Sequence, residues 1–288
     1  MFRKFAFFFY QILKFFDNIL TYSINKSFLS WFKEFLTEDS YKKIIINQKQ
    51  TIFFIPNNLT KWRVETFFTK EPETLEWIQT FDKTKPIIFW DIGSNIGLYS
   101  IYASTIHSNC TVISFEPSSN NLRVLARNIA INNLEERISI FSNPLSDKNE
   151  RFLMMQDTEF REGAALNSYG EKFNFEGKSQ NYNMKYKLLG KSLKHILKNK
   201  ILDIPDYIKI DVDGIEHLIL KGAGEFLREK KIKSISVEIN ENFKTQCNNI
   251  IKIMEINNFK FSQKRQNEEL KNSGGPFSKS FNYIFSKW

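Results

Sequence analysis

The sequence predicts an α/β fold with a mostly parallel sheet covered by helices on both faces, and three observations predict it. Between Pro86 and Glu241, the short runs Ile87–Ile92, Thr111–Phe115, Ile138–Phe141, Tyr207–Val212 and Ile232–Ile239 are rich in branched apolar residues. Strands buried on both faces have this near-continuous apolar character. Stretches of helical spacing at 96–107, 118–132 and 215–230 separate them, the alternation that a parallel sheet requires. A glycine loop, Asp91-Ile92-Gly93-Ser94-Asn95-Ile96-Gly97, sits where the first strand turns into the first helix.

Taken in order, residues 1–40 read as helical. The start, MFRKFAFFFYQILKFF, has an uncharged run from Phe5 to Leu13, far short of the roughly 20 residues that span a bilayer. No small-residue cleavage site follows it, so a cleaved signal peptide is not expected. The expectation is a cytoplasmic chain whose residues 1–20 lie peripherally on a membrane, or pack on the protein body or on a second copy in a homo-oligomer. Lys43 to Ile55, with a polar stretch at Asn47–Gln50, suggests a hairpin. Glu71-Pro72 then opens a helix, with Leu75, Ile78 and Phe81 on one face and Trp77 beside them. Lys85-Pro86 reads as a boundary, which makes 1–84 an extension and 85–288 the main domain.

Residues 143–205 interrupt the alternation with two weaker strands, Arg151–Met155 and Lys185–Leu189, and with Gly163, Gly170 and Gly177. They read as an insertion beside the site. After Glu241 come a helix at about 245–257, a strand at Phe259–Ser262 and a last strand at Phe281–Phe285, a terminal antiparallel hairpin.

Of the 288 residues, 42% are hydrophobic and 25% charged, which excludes a wholly disordered chain. Cys110 and Cys247 are too few for a disulfide framework, and His107, His195 and His217 too scattered for a zinc motif. The formal charge is +9, but residues 81–240 hold 22 basic and 20 acidic groups. The surplus lies at the two ends, and nucleic acid is disfavoured as a partner. One acid-free stretch, 178–200, carries seven lysines. It reads as a solvated face, with a grip on an anionic substrate as the alternative.

The glycine loop has three residues between Gly93 and Gly97, unlike the G-x-G-x-x-G of dinucleotide sites. Glycines here let the backbone approach a ligand, and the helix start turns amides toward it; packing of helix on strand is the simpler alternative. The second strand ends in Phe115-Glu116-Pro117, and an acid there accepts both hydroxyls of a ribose. Loop and acid together suit a nucleoside cofactor without phosphate at that end, and S-adenosylmethionine fits.

These residues resemble the FkbM family of S-adenosylmethionine-dependent methyltransferases. The matches are D-I-G-S-N-I-G-L-Y-S (91–100), F-E-P (115–117), L-S-D-K-N (145–149), Y-I-K-I-D-V-D-G-I-E (207–216), L-K-G-A (220–223) and V-E-I (237–239), with T-K-E-P-E-T-L-E-W-I (69–78) as a lead-in. The resemblance implies a class I methyltransferase fold, Rossmann-like, with a seven-stranded sheet whose last strand is antiparallel. It places Asp91, Gly93, Ser94, Asn95 and Gly97 at the amino-acid end of the cofactor, Glu116 on the ribose, Ser142 and Asn143 near the adenine, and Asp211 facing the methyl group. The sequence departs from the family's usual residues at Asp213, at Asn143-Pro144, at Ser192-Leu193-Lys194-His195 and at His217; Lys194 and His195 bear on the substrate side.

Methyl transfer is an in-line displacement that rests on alignment, helped by a base when the acceptor is a hydroxyl. Asp211 is the candidate base, and Lys209, on the same face of the strand, pairs with it or orients the substrate; a structural ion pair is the alternative. Asp211, Asp213, Glu216 and His217 include hard oxygen ligands, but Asp213 and Glu216 are better read as helix caps, and no metal is expected. Glu238 also borders the cleft. The expected function is O-methylation of a small-molecule or glycan hydroxyl. The alternatives are an RNA methyltransferase and a non-catalytic scaffold that binds a partner through its N-terminal aromatic helix.

Overall fold

The computed structural model describes residues 1–272 and 274–287, so Ser273 and Trp288 of the expected main domain lie outside the described residues. Two compact units divide the chain, Met1–Lys42 and Lys43–Trp288. The first holds two helices, α1 (Phe2–Ile24) and α2 (Phe28–Glu38). The break in the expected helical stretch falls at Asn25, which takes the left-handed conformation (φ 53°) that ends many helices. Ser27 then caps α2 through the amide of Ser30.

The second unit opens on the expected hairpin, β1 (Tyr41–Ile46) and β2 (Lys49–Phe54). Its two-residue turn puts Asn47 and Gln48 at positive φ, as the strand twist demands. Helices α3 (Asn58–Glu65), α4 (Phe67–Lys70) and α5 (Pro72–Gln79) follow. The alternating part runs β3 (Ile87–Ile92), α6 (Leu98–Ile106), β4 (Cys110–Phe115), α7 (Ser119–Ile131) and β5 (Ile138–Phe141). The insertion holds β6 (Arg151–Asp157), β7 (Ser168–Tyr169) and β8 (Met184–Gly190) in an antiparallel sheet of order β7-β6-β8. After α8 (Leu193–Lys198) come β9 (Tyr207–Ile210), α9 (Glu216–Ala223), β10 (Ser234–Asn240), α10 (Lys244–Ile256), β11 (Lys260–Arg265) and β12 (Ser280–Ser286).

Seven strands form the central sheet in the order β11-β12-β10-β9-β3-β4-β5. Its β10-β9-β3-β4-β5 part is parallel, and β12, the last strand, runs antiparallel to both of its neighbours. This is the α/β class I methyltransferase arrangement expected from the sequence. Trp90, Ile92, Phe115, Ile208 and Ile210 form one core with residues of α8, α9 and α10. On the other face, the Phe89 ring meets Trp77 and Phe81 edge-on.

The division expected at 84/85 falls instead at 42/43. Lys85-Pro86 has the local composition of a linker, but the apolar face of α5 needs the sheet. Trp77 donates its indole N–H to Ser234 Oγ at 3.0 Å, and Phe81 stacks on Tyr207 with centroids 3.8 Å apart. Asn128 of α7 and Asn132 at its C-cap bond the β2 backbone at Phe54 and Ile52. Residues 43–84 are therefore part of the same compact unit as the sheet. Phe81→Ala is expected to cost about 3–5 kcal/mol of stability, read from urea unfolding; a loss under about 1 kcal/mol would mean the segment docks only loosely.

Candidate functional site

A cavity of about 960 Å³ opens at the carboxyl ends of β3, β4, β9 and β10, where open α/β sheets bind ligands. Its walls bring together Gly93, Ser94, Asn95, Glu116, Asn143, Lys209 and Asp211, seven of the residues singled out from the sequence.

The glycine loop passes directly over the end of β9. Gly93 has φ 89°, and a Cβ there would lie 1.8 Å from the carbonyl oxygen of Asp211, so only glycine fits. The loop's amides do not stand open toward a ligand as expected. Those of Gly93 and Ser94 both donate to Phe115 O, that of Gly97 to Ser94 O, and that of Asn95 to Glu116 Oε2. The first turn of α6 is thus tied to β4. Gly97 does not line the cavity: it caps α6 with φ 87°, and a Cβ would strike Leu125. Asp91 is also beneath the surface, fully buried, with Oδ2 accepting from Ser100 Oγ at 2.6 Å. Ser142 is exposed and outside the cavity, whereas its neighbour Asn143 lines it and donates to Leu189 O.

Glu116 accepts one amide on each oxygen, Asn95 N and Ser118 N, both at 2.8 Å. Burial pushes its carboxyl up to about 8 despite those two bonds. It is a buried acid on the cavity wall, and the Asn121 side chain bonds it as well.

The floor is built around Lys209. Its side chain is 1% exposed, its Nζ donates to Asp211 Oδ2 at 2.7 Å, and it lies 4.8 Å from the centre of the Tyr99 ring. Burial opposes the charge, but Asp211, Glu71 and Asp91 around it hold the ammonium above the usual lysine range. Glu71 has Lys70 at 2.7 Å; burial opposes ionisation, yet Lys70 and Lys209 hold its carboxyl down at about 2. Sequence reasoning missed Glu71, Lys70 and Tyr99. The signal was present in T-K-E-P-E and in the Tyr99 of D-I-G-S-N-I-G-L-Y-S, but only folding shows that both face Lys209.

Asp211, Asp213 and Glu238 each bring an oxygen within 4.8 Å of the others, a group able to hold a cation. Burial, and then Asp211, pushes Asp213 up to about 6 and Glu238 well above the carboxylate range. The set weighed from the sequence differs from this one. Glu216 is instead a cap, accepting the amides of Val212 and Gly214 and the Gln246 side chain. His217 packs between Phe173 and Phe243.

Part of the insertion covers the cleft. Ala164 O accepts from Asn95 Nδ2 and Asn121 Nδ2, Gly163 O from Arg63 Nε, and Asp213 Oδ2 from Leu166 N. The lysine run does not: none of its seven lysines lines the cavity. Lys178, Lys191 and Lys194 pair with Glu176, Glu150 and Glu225, and His195 meets Asn149. Lys194 and His195 therefore lie off the substrate side.

Lys209→Met leaves Asp211, Glu71 and Asp91 without their shared cation. It is expected to cost about 3–5 kcal/mol, as breaking a buried pair does, measured by chemical unfolding against the wild-type chain.

A family model described as the methyltransferase FkbM domain matches residues 91–261, more than half of the chain. No curated protein matches significantly. Among solved structures, the chain is similar to a precorrin-6y C5,15-methyltransferase from Geobacter metallireducens, with 11% identity, a TM-score of 0.42, and coverage of 76% of this chain and 86% of that one. A ribosomal protein L11 methylase from Lactobacillus delbrueckii subsp. bulgaricus gives 12%, 0.43, 75% and 77%. The fibrillarin pre-rRNA processing protein of Methanococcus jannaschii gives 14%, 0.44, 85% and 82%.

Proposed function

This chain belongs to the FkbM methyltransferase family, and on that premise we propose that it methylates a hydroxyl oxygen of a small molecule or glycan, with Asp211 as the base. S-adenosylmethionine is the methyl donor. The residues present fit it: Asn95 Oδ1, on the cavity wall, is buried without a partner, and the buried carboxyl of Glu116 borders the same cavity.

When bound, the cofactor supplies an electrophilic methyl carbon. Glu116 takes the two ribose hydroxyls, Asn143 borders the adenine, and Gly93, Ser94 and Asn95 border the amino-acid end. Buried Asp91 supports that loop from below through Ser100, and Gly97 shapes its exit. Asp211 accepts the proton of the acceptor hydroxyl, and Lys209 holds that carboxylate in place. The observation that carries this reading is the Lys209–Asp211 pair on the cavity floor, a carboxylate oriented by a buried cation beside the loop at Gly93. Trp62, Phe277 and Gln180 line the same cavity, residue types suited to a polyhydroxylated acceptor. The decisive experiment is incubation with methyl-labelled cofactor and fractionated cell extract. Label in a methyl ether supports the reading, and label in RNA would replace it.

Asp211→Asn is expected to lower kcat by roughly 10²–10⁴-fold and leave the calorimetric Kd for S-adenosylmethionine nearly unchanged. A Kd that rises in step would make Asp211 a cofactor-binding residue. Glu116 binds hydroxyls best as the carboxylate, so binding below its value of about 8 releases a proton. Affinity should therefore tighten as pH rises, by up to roughly tenfold per unit, and level off above that value. Glu116→Gln should bind weakly and remove that component of the pH profile, followed by calorimetry.

A further inference from the structure

We propose that the α1–α2 hairpin is a docking surface for an anionic lipid membrane, on which it lies in the plane of the headgroups. The inference does not depend on which acceptor the cleft methylates.

Along α1, Phe5, Phe8, Ile12, Phe15 and Ile19 follow one another at spacings of three and four, so they share one face. All five are exposed, from 62% at Phe5 and Phe15 to 38% at Ile12, and Phe9 and Phe16 beside them are exposed too. In α2, Trp31, Phe32, Phe35 and Leu36 are likewise exposed. Large aromatic side chains in this number on one face exceed the scattered apolar exposure of an ordinary surface.

Charge says what covers that face. Residues 1–33 carry the cations Arg3, Lys4, Lys14, Lys26 and Lys33 and a single acid, Asp17. The fold removes that acid from the surface. Asp17 is buried and accepts three hydrogen bonds across the hairpin, from Ser27 Oγ at 2.8 Å, Phe28 N at 2.7 Å and Leu29 N at 3.1 Å. It is the clamp that starts α2 as well as the hidden charge. Toward solvent, α1 is cationic without compensation, and the exposed acids Glu34, Glu38 and Asp39 lie on α2 and just after it. Arg3 and Lys14 lie across α1 from the aromatic face. A broad aromatic face with lysines and arginines on the polar side is the pattern of helices that lie in a bilayer interface and prefer anionic headgroups. A second copy seated on α1 would bring Arg3, Lys4 and Lys14 against their own kind, so the charge of that helix favours lipid. Among the described residues no helix is long and apolar enough to cross a membrane, which leaves the in-plane geometry.

The test uses the full chain and sedimentation with two kinds of vesicle, phosphatidylcholine alone and phosphatidylcholine mixed with phosphatidylglycerol. The protein should pellet with the mixed vesicles and stay largely soluble with the neutral ones. Phe8→Ser/Phe15→Ser should lower partitioning by roughly tenfold or more, from the apolar area lost. Lys4→Glu/Lys14→Glu should lower it to a similar extent on mixed vesicles only. Circular dichroism checks that each variant keeps its helices. Independently of any folding change, brominated lipids should quench tryptophan fluorescence in the wild type and quench it less in Trp31→Phe. No pelleting, equal pelleting with both vesicles, or a lipid-free dimer that Phe8→Ser/Phe15→Ser dissociates would each overturn the proposal.

Discussion

The buried ammonium of Lys209 is the interaction on which the cleft depends. Placing one cation under the carboxyl ends of β3 and β9 lets buried Asp91 and Glu71 and the cavity-lining Asp211 come together around it. Without it, Asp91 and Asp211 would face each other with no cation between them, and Glu71 would keep only Lys70. Lys209 reaches this position because β9 is central and its side chains alternate. Ile208 and Ile210 go into the core with α8 and α9, while Tyr207 and Lys209 point to the face covered by α5 and α6.

Around that cation the site is assembled from segments far apart in sequence. Glu71 comes from the start of α5, Tyr99 from α6, Gly93 from the loop after β3 and Glu238 from β10. The close passage of Gly93 over the Asp211 carbonyl locks the loop to β9, and the amide of Asn95 locks it to Glu116 at the end of β4. The wall of the cavity at Glu116 and its floor at Asp211 are therefore one piece. Residues 163–166, from the middle of the insertion, are bonded to that piece through Asn95, Asn121 and Asp213.

The two compact units divide the physical work differently. The larger buries its aromatic residues in pairs such as Phe81–Tyr207 and Trp77–Phe89. The smaller keeps Phe5, Phe8 and Phe15 outside and buries an aspartate. A chain with many phenylalanines has thus used them both for core packing and for a surface.

The sequence by itself determined the alternating sheet, the glycine loop and the acids that follow two of the strands, because each is written locally. Apolar runs mark buried strands, Gly93 marks a turn no other residue can make, and Glu116 and Asp211 end their strands. It also carried the family, through motifs whose order survives along the chain. What only the tertiary structure decided depends on distant residues meeting. Lys85-Pro86 looked like a boundary because composition cannot show Phe81 stacking on a tyrosine 126 positions later. Asp91, Gly97 and Ser142 sit in the right motifs yet outside the cavity, since burial and side-chain direction are set by packing. Glu71 and Tyr99 stood in matched motifs with no sign that they meet, and Asp17 is buried because the hairpin folds it onto the start of α2. Local chemistry is legible in order along a chain; electrostatic partnership is a property of distance, and only folding sets distance.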